Sequence, residues 1–197
     1  RRVNLGRDTH AAQPGEALLR AEHLTWRDAL GVPRVHDVSL ALHAGEIVGI
    51  AGVSGNGQSE LLDLLSGLRA PQQGRLTLGG QSFEPGHWLD PRRARALKLA
   101  HVPEDRHARA LVMDFPAWES AVLGYHRWPA FCRRGFMRAA AMRDATVAMM
   151  QGYDVRPPDP GLSSRKFSGG NQQKVVLARE AWAQPQVLLV GQPTRGV

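Results

Sequence analysis

Ile47-Val48-Gly49-Ile50-Ala51-Gly52-Val53-Ser54-Gly55-Asn56-Gly57-Gln58-Ser59 is the stretch that decides the fold. A short continuous apolar run, Ile47 to Ala51, passes directly into a glycine-rich segment. Beyond it Leu61, Leu62, Leu64, Leu65 and Leu68 recur at helical spacing. An apolar run of this length without alternation suits a strand buried on both faces. The predicted order is strand, glycine loop, helix, a unit of α/β folds built on a parallel sheet.

Within this stretch, Gly52 to Ser59 matches the template G-x-x-x-x-G-K-[S/T] except at one place. The glycines let successive backbone N–H groups converge on an anion, and the helix N-terminus adds partial positive charge. Ser59 stands where a hydroxyl ligates magnesium. Gln58 takes the lysine position. Glutamine donates a hydrogen bond without a charge, and charge-assisted bonds are roughly twice as strong. Taken alone, the segment is read equally well as a glycine-rich strand–helix turn with no ligand.

On the N-terminal side, residues 17–26 are strand-like, and residues 35–43 alternate apolar with polar, as in a half-buried antiparallel sheet. Residues 43–46 form a turn. Residues 1–16 are polar, close on Pro14-Gly15, and are expected to be a linker. On the C-terminal side, residues 74–80 are expected as a strand, 91–99 as a helix with Pro91 in its first turn, and 99–103 as a strand. Residues 115–152, rich in Ala, Met and Trp, are expected to be mostly helical. They belong to a helical lobe spanning about 115–165. Pro157, Pro158 and Pro160 mark a loop over 153–161. Residues 168–182 form a helix, and 187–190 a last buried strand.

The net charge is +7 over 197 residues. The basic residues are scattered, with Arg92-Arg93 and Arg95, and Arg133-Arg134 and Arg138, as the nearest approach to clusters. Solvated helix faces account for them, and no nucleic-acid partner is expected. No window approaches the ~18 apolar residues of a membrane span. Cys132 is the only cysteine. No internal disulfide is possible, which fits a reducing compartment, and nothing near Cys132 in sequence would activate it.

Two further motifs supply the context that the glycine loop lacks. Phe167-Ser168-Gly169-Gly170-Asn171-Gln172-Gln173-Lys174 opens a helix, with a serine positioned as N-cap and bare glycine N–H groups behind it. The apolar run 187–190 then leads into Gly191-Gln192-Pro193-Thr194-Arg195-Gly196. In order and spacing these resemble the ABC signature (Leu-Ser-Gly-Gly-Gln) and the Walker B motif (four apolar residues, then Asp-Glu-Pro-Thr). From about Ala17 onward the chain resembles an ATP-binding cassette (ABC) domain, so that 17–197 is one domain. Asn171-Gln172-Gln173-Lys174, Val102-Pro103-Glu104-Asp105-Arg106 and Pro193-Thr194-Arg195-Gly196 are similar to the second cassette of sugar or nucleoside importers that carry two cassettes in one chain.

This resemblance implies a P-loop NTPase with a parallel-sheet core, an antiparallel β subdomain and a helical subdomain. The implied ligands are ATP or ADP with Mg2+. Gly52, Ser54, Gly55, Asn56, Gly57, Gln58 and Ser59 would hold the phosphates, Ser59 the metal, and Trp26 would stack on adenine. Ser168, Gly169, Gly170 and Gln172 would complete the ATP site of another cassette, in the same full-length chain or in a homodimer mate. Glu104 would stand at the Q-loop position, which feels nucleotide state for the membrane subunit. Trp118, Trp128, Phe115 and Phe131 would line a docking surface or pack in the core. Membrane-spanning permease subunits would be the partners, on the cytoplasmic face of the membrane.

The departures bear on mechanism. Gly191 stands at the Walker B aspartate and Gln192 at the glutamate that polarises the attacking water. A glutamine takes no proton near neutral pH. With Gln58, the charged groups of the hydrolytic site are replaced, so little hydrolysis is expected at this domain's own site. By resemblance the D-loop and switch histidine lie beyond Val197. The chain is thus expected to be C-terminally incomplete and nearly inactive alone. Two other readings are a soluble ABC protein acting on ribosomes or nucleic acid, and a nucleotide sensor that does not hydrolyse.

Overall fold

The computed structural model describes residues 13–192. Most of the expected linker and residues 193–197 lie outside the described residues. In the N-terminal part, β1 (Ala17–Arg27) and β2 (Pro33–His43) pair antiparallel, with Leu19 opposite Leu42 and Leu24 opposite Val38. After α1 (Gln58–Leu65) come β3 (Gln73–Leu78) and β4 (Gln81–Phe83), a strand not expected from sequence. The four strands form one sheet in the order β2-β1-β3-β4. Leu19 and Ala21 share a face of β1 by alternation, and a register shift at His23, which has a positive φ, brings Leu24 to the same side, where they pack with Leu76 and Leu78 of β3 and with Leu64 and Leu65 of α1. These leucines are essentially fully buried, and each stabilises the fold by about 1.5–3 kcal/mol relative to exposure.

Then follow α2 (Pro91–Ala96), β5 (Leu99–Val102), the short α3 (Arg106–Arg109) and α4 (Ala117–Ser120), the hairpin strands β6 (Cys132–Arg133) and β7 (Phe136–Met137), α5 (Ala139–Gly152), α6 (Gly169–Trp182) and β8 (Val187–Val190). β5 and β8 pair in parallel, Leu99 with Val187 and Val102 with Val190. The α/β class, with a parallel pair, an antiparallel sheet and a helical lobe, is as expected. No helix among the described residues is long and apolar enough to cross a membrane.

Several local expectations are corrected. Residues 47–51 are not a strand. They carry no regular secondary structure and pair with no strand among the described residues, with Ile47 98% and Ile50 51% exposed. A continuous apolar run is suited to burial, but its backbone becomes a strand only where a ladder accepts it. The flank of β8 that would be covered, Leu188 and Val190, is likewise open, so β8 is half-buried rather than fully buried. Leu68 falls beyond α1 and is exposed.

The helix expected over 91–99 stops at Ala96. Its start is built as predicted, with Pro91 in the first turn and the Asp90 carboxylate accepting from the N–H groups of Arg92 and Arg93. Lys98 then turns to a positive φ and ends it. Residues 115–152 are helical only in α4 and α5. Gly124 and Pro129 interrupt the pattern, and Arg134-Gly135, both at positive φ, close the β6–β7 hairpin. Phe131 is buried with Tyr125 and Met142, Trp128 and Trp118 pack against them, and Phe115 is exposed.

Candidate nucleotide site

The loop before α1 closes at Gly57, whose φ of 95° admits glycine with least strain. A Cβ there would stand 2.0 Å from the Arg34 carbonyl oxygen. α1 therefore starts against β2 with no side-chain cap on its first turn. Its leading N–H groups carry the partial positive charge of a helix start. The amide of Gln58 folds back, Nε2 donating to the Val53 carbonyl at 3.2 Å.

Two strand ends meet this loop. The Gly191 N–H donates to the Val102 carbonyl at 2.9 Å, which ties the end of β8 to the end of β5. Glu104 leaves β5 beside it, and Ser59 Oγ donates to Glu104 Oε2 at 2.7 Å. A cavity of about 420 Å³ lies among these groups. Gly52, Ser54, Gly55, Gln58 and Ser59 line it from the loop and α1, with Glu104, Gly191 and Gln192 from the strand ends. Asn56 and Gly57 shape the loop without lining the cavity. Glu104 is the only ionisable side chain among the described lining residues.

The groups present fit a magnesium–nucleotide ligand. Mg2+ is commonly bound by one or two carboxylates with substrate phosphates and water, at about 2.0–2.1 Å in an octahedron. Adjacent ligands of such an octahedron are then about 2.9 Å apart. The Ser59 and Glu104 oxygens, 2.7 Å apart, are spaced like two adjacent ligands.

Trp26 is not brought to this cavity. Its ring lies against the first core cluster with the Arg69 guanidinium 4.2 Å from the ring centroid. Ser168 caps α6 as predicted, Oγ accepting from Asn171 N at 3.4 Å and Asn171 Nδ2 at 3.0 Å, with Gly169 and Gly170 in the first turn. Gln172 is buried: Nε2 donates to the Ser164 carbonyl at 3.1 Å, and Oε1 accepts from Arg106 Nε at 3.3 Å and lies 2.8 Å from His107 Nε2. Its side chain ties α6 to α3. None of these signature residues lines the cavity.

Sequence reasoning missed several ionic groups with a buried partner. Asp63, buried in α1, is paired with Arg109 and lies 3.5 Å from Arg69. The hydrogen bond to Asp63 pushes the Arg109 guanidinium pKa up. Arg179 and Glu180 are buried neighbours on α6. Arg179 Nε donates to Glu180 Oε1 at 2.8 Å, and Nη1 donates to the carbonyls of Ala110 and Ser120. A charged residue inside an apolar helical stripe was the available signal in both cases.

A glycine loop opening a helix beside the ends of two parallel strands is the arrangement of a phosphate-loop nucleotide-binding domain. The ABC transporter family model matches residues 35–195, and the chain belongs to that family. It is 41% identical over 198 residues to the guanosine import ATP-binding protein NupO of Bacillus subtilis (strain 168), covering 100% of this chain and 38% of that protein. It is 35% identical to the nucleoside import ATP-binding protein NupA of Lactococcus lactis subsp. cremoris (strain MG1363), covering 100% of this chain and 38% of that protein. To the xylose import ATP-binding protein XylG of Burkholderia cenocepacia (strain HI2424) it is 37% identical, covering 97% and 37%. The chain thus spans well under half the length of these relatives. Among solved structures it resembles the dimeric cassette MJ0796 in a post-hydrolysis state bound to ADP and Pi. The TM-score is 0.74 at 23% identity, over 91% of this chain and 75% of that one.

Proposed function

We propose that the chain is an ATP-binding cassette of a sugar or nucleoside importer, acting at the cytoplasmic face of the membrane with permease subunits and a second cassette. Its own cavity binds ATP or ADP with Mg2+ but hydrolyses poorly, and its Ser-Gly-Gly helix completes the partner's site. The observation that carries this reading is the division of the motifs. The loop groups, Glu104, Gly191 and Gln192 share one cavity, and Ser168, Gly169 and Gly170 are outside it. The uncharged Gln58 and Gln192 supply neither the phosphate-neutralising cation nor a general base. The share of the relatives' length left uncovered by this chain leaves room for a second cassette in the same protein.

ATPase activity of the assembled transporter tests it. Ser168→Arg should abolish turnover, because a long side chain blocks the close approach that a helix N-terminus with two glycines offers to a phosphate. Gln58→Ala should reduce turnover much less. If Gln58→Ala is the more damaging change, the division into a clamping and a hydrolytic site is wrong.

A further inference from the structure

Between Glu119 and Asp144 the chain carries Arg127, Arg133, Arg134, Arg138 and Arg143 and no carboxylate. Sequence reading assigns the cluster Arg133-Arg134 and Arg138 to a solvated helix face. The structure instead puts these residues on and beside the β6–β7 hairpin. Arg133 stands opposite Phe136 in the register, so the two side chains leave the hairpin on one face. Arg134 and Gly135, both at positive φ, form the tip. Residues 133–138 are all exposed, Phe136 by 79% and Met137 by 53%. No carboxylate pairs with Arg127, Arg133, Arg134 or Arg138 among the described residues. The base of the hairpin is nonetheless anchored. Arg138 N donates to the Phe131 carbonyl and Cys132 N to the Trp128 carbonyl, both at 2.8 Å. The buried Phe131 ring stacks on Trp182 with centroids 5.1 Å apart.

We propose that the β6–β7 hairpin is a membrane-surface contact, with Phe136 and Met137 entering the interface of an anionic bilayer and Arg133 and Arg134 bound to lipid phosphates. Arg127 and Arg138 stand behind them and add to the attraction. Both halves of such a contact are present on a structure short enough to reach a surface with its tip. Apolar side chains held in water gain by entering the boundary between headgroups and acyl chains. Guanidinium groups without carboxylate partners match phosphate oxygens in charge and geometry. A single apolar anchor holds a protein to a bilayer only marginally, and a basic patch beside it supplies the second signal. The single sign of charge from residue 120 to 143 complements a continuous anionic surface, which attracts every arginine that comes near it. The contact adds to whatever hold the permease subunits provide. It draws on the membrane-face reading only for where such a surface is met, and the nucleotide cavity plays no part in it.

The test is sedimentation of the full-length protein, without permease subunits, with vesicles of phosphatidylcholine alone or of equal parts phosphatidylcholine and phosphatidylglycerol. The protein should sediment with the anionic vesicles and not with the neutral ones, and high salt should release it. Arg133→Gln combined with Arg134→Asn removes two charges, and asparagine before Gly135 suits the positive φ of the turn, so the hairpin is kept. Partitioning should fall by about fivefold per arginine, and so by about 25-fold in this double variant. Phe136→Ser keeps the charges and should lower partitioning by about fivefold. Arg20→Gln combined with Arg92→Gln removes the same charge from exposed positions outside the hairpin, and should change partitioning by less than about twofold. Thermal unfolding and ADP affinity, the latter reporting the proposed nucleotide site, should be equal in all variants. Equal binding to neutral vesicles, equal loss in the two double variants, or retained binding in the hairpin double variant or in Phe136→Ser overturns the proposal. Failure to bind anionic vesicles overturns it too, and loss of permease co-purification in the hairpin double variant would then assign the hairpin to the permease instead.

Discussion

The side-chain amide of Gln58 lies across Gly52, close enough that a Cβ on Gly52 would stand 2.0 Å from its Nε2. The amide donates to the Val53 carbonyl, so the residue at the lysine position is engaged with its own loop. Binding a phosphate through Gln58 would require breaking this bond, and the replacement would be a neutral donor. Neutral hydrogen bonds contribute about 0.5–1.5 kcal/mol and charged ones about 1.5–3 kcal/mol. Gln58→Lys should therefore tighten ADP binding by about tenfold, whereas Gln58→Ala should change it by less than about threefold. Titration calorimetry on the full-length protein distinguishes the two. Equal effects would mean that the loop does not hold phosphate at this residue.

Gly57 seats α1 against β2, and its φ of 95° adds to the closeness of the Arg34 carbonyl. Gly57→Ala should lower the thermal unfolding midpoint, by the equivalent of about 1–3 kcal/mol for strained backbone. It should also weaken ADP binding, because the first turn of α1 must shift. Gly49→Ala serves as control, since nothing lies within 4 Å of a Cβ there. An unfolding midpoint that is the same in both variants would contradict the assigned role.

Glu180 is fully buried between two partners, Arg179 and the hydroxyl of Tyr125, which donates to Glu180 Oε2 at 2.5 Å. Burial first, then the neighbouring carboxylate, pushes the Tyr125 pKa up, so the phenol stays a donor. Tyr125→Phe removes one bond and should cost about 1–3 kcal/mol. Glu180→Ala leaves the Arg179 charge buried without its partner and should cost about 3–5 kcal/mol. Denaturant midpoints of the two variants give the order. A milder effect for Glu180→Ala than for Tyr125→Phe would show that Arg179 finds another anion.

His101 on β5 has its pKa held below the ordinary 6.5 by burial, against the opposing pull of Asp63 and Glu180. Below about pH 6.5 the unfolded chain binds a proton that the folded chain resists. Stability should therefore fall as pH drops below about 6.5 and level off once the folded-state pKa is passed. His101→Gln should flatten the profile through this window. A profile unchanged by that substitution would place the acid sensitivity in other groups.

The sequence by itself determined the class of the fold and the positions of its local motifs. The glycine loop before a leucine-striped helix, the Ser168 cap with Gly169 and Gly170, and the apolar run before Gly191 are local patterns, and local backbone chemistry is what sequence spacing reports. β1, β2, β3, β5 and α6 appear where alternation or helical periodicity put them. Tertiary structure decided what depends on neighbours distant in the chain. Residues 47–51 have the composition of a buried strand, yet no ladder receives them among the described residues, so they stay irregular and exposed. Residues 115–152 have helical composition, but the turns at Gly124 and Arg134-Gly135 divide them. Trp26 faces Arg69 because the strand register put it there. Ser59 and Glu104 meet because parallel pairing of β5 with β8 carries Glu104 and Gly191 to the mouth of the loop. That meeting is a contact across 45 residues of chain, and no local periodicity encodes it.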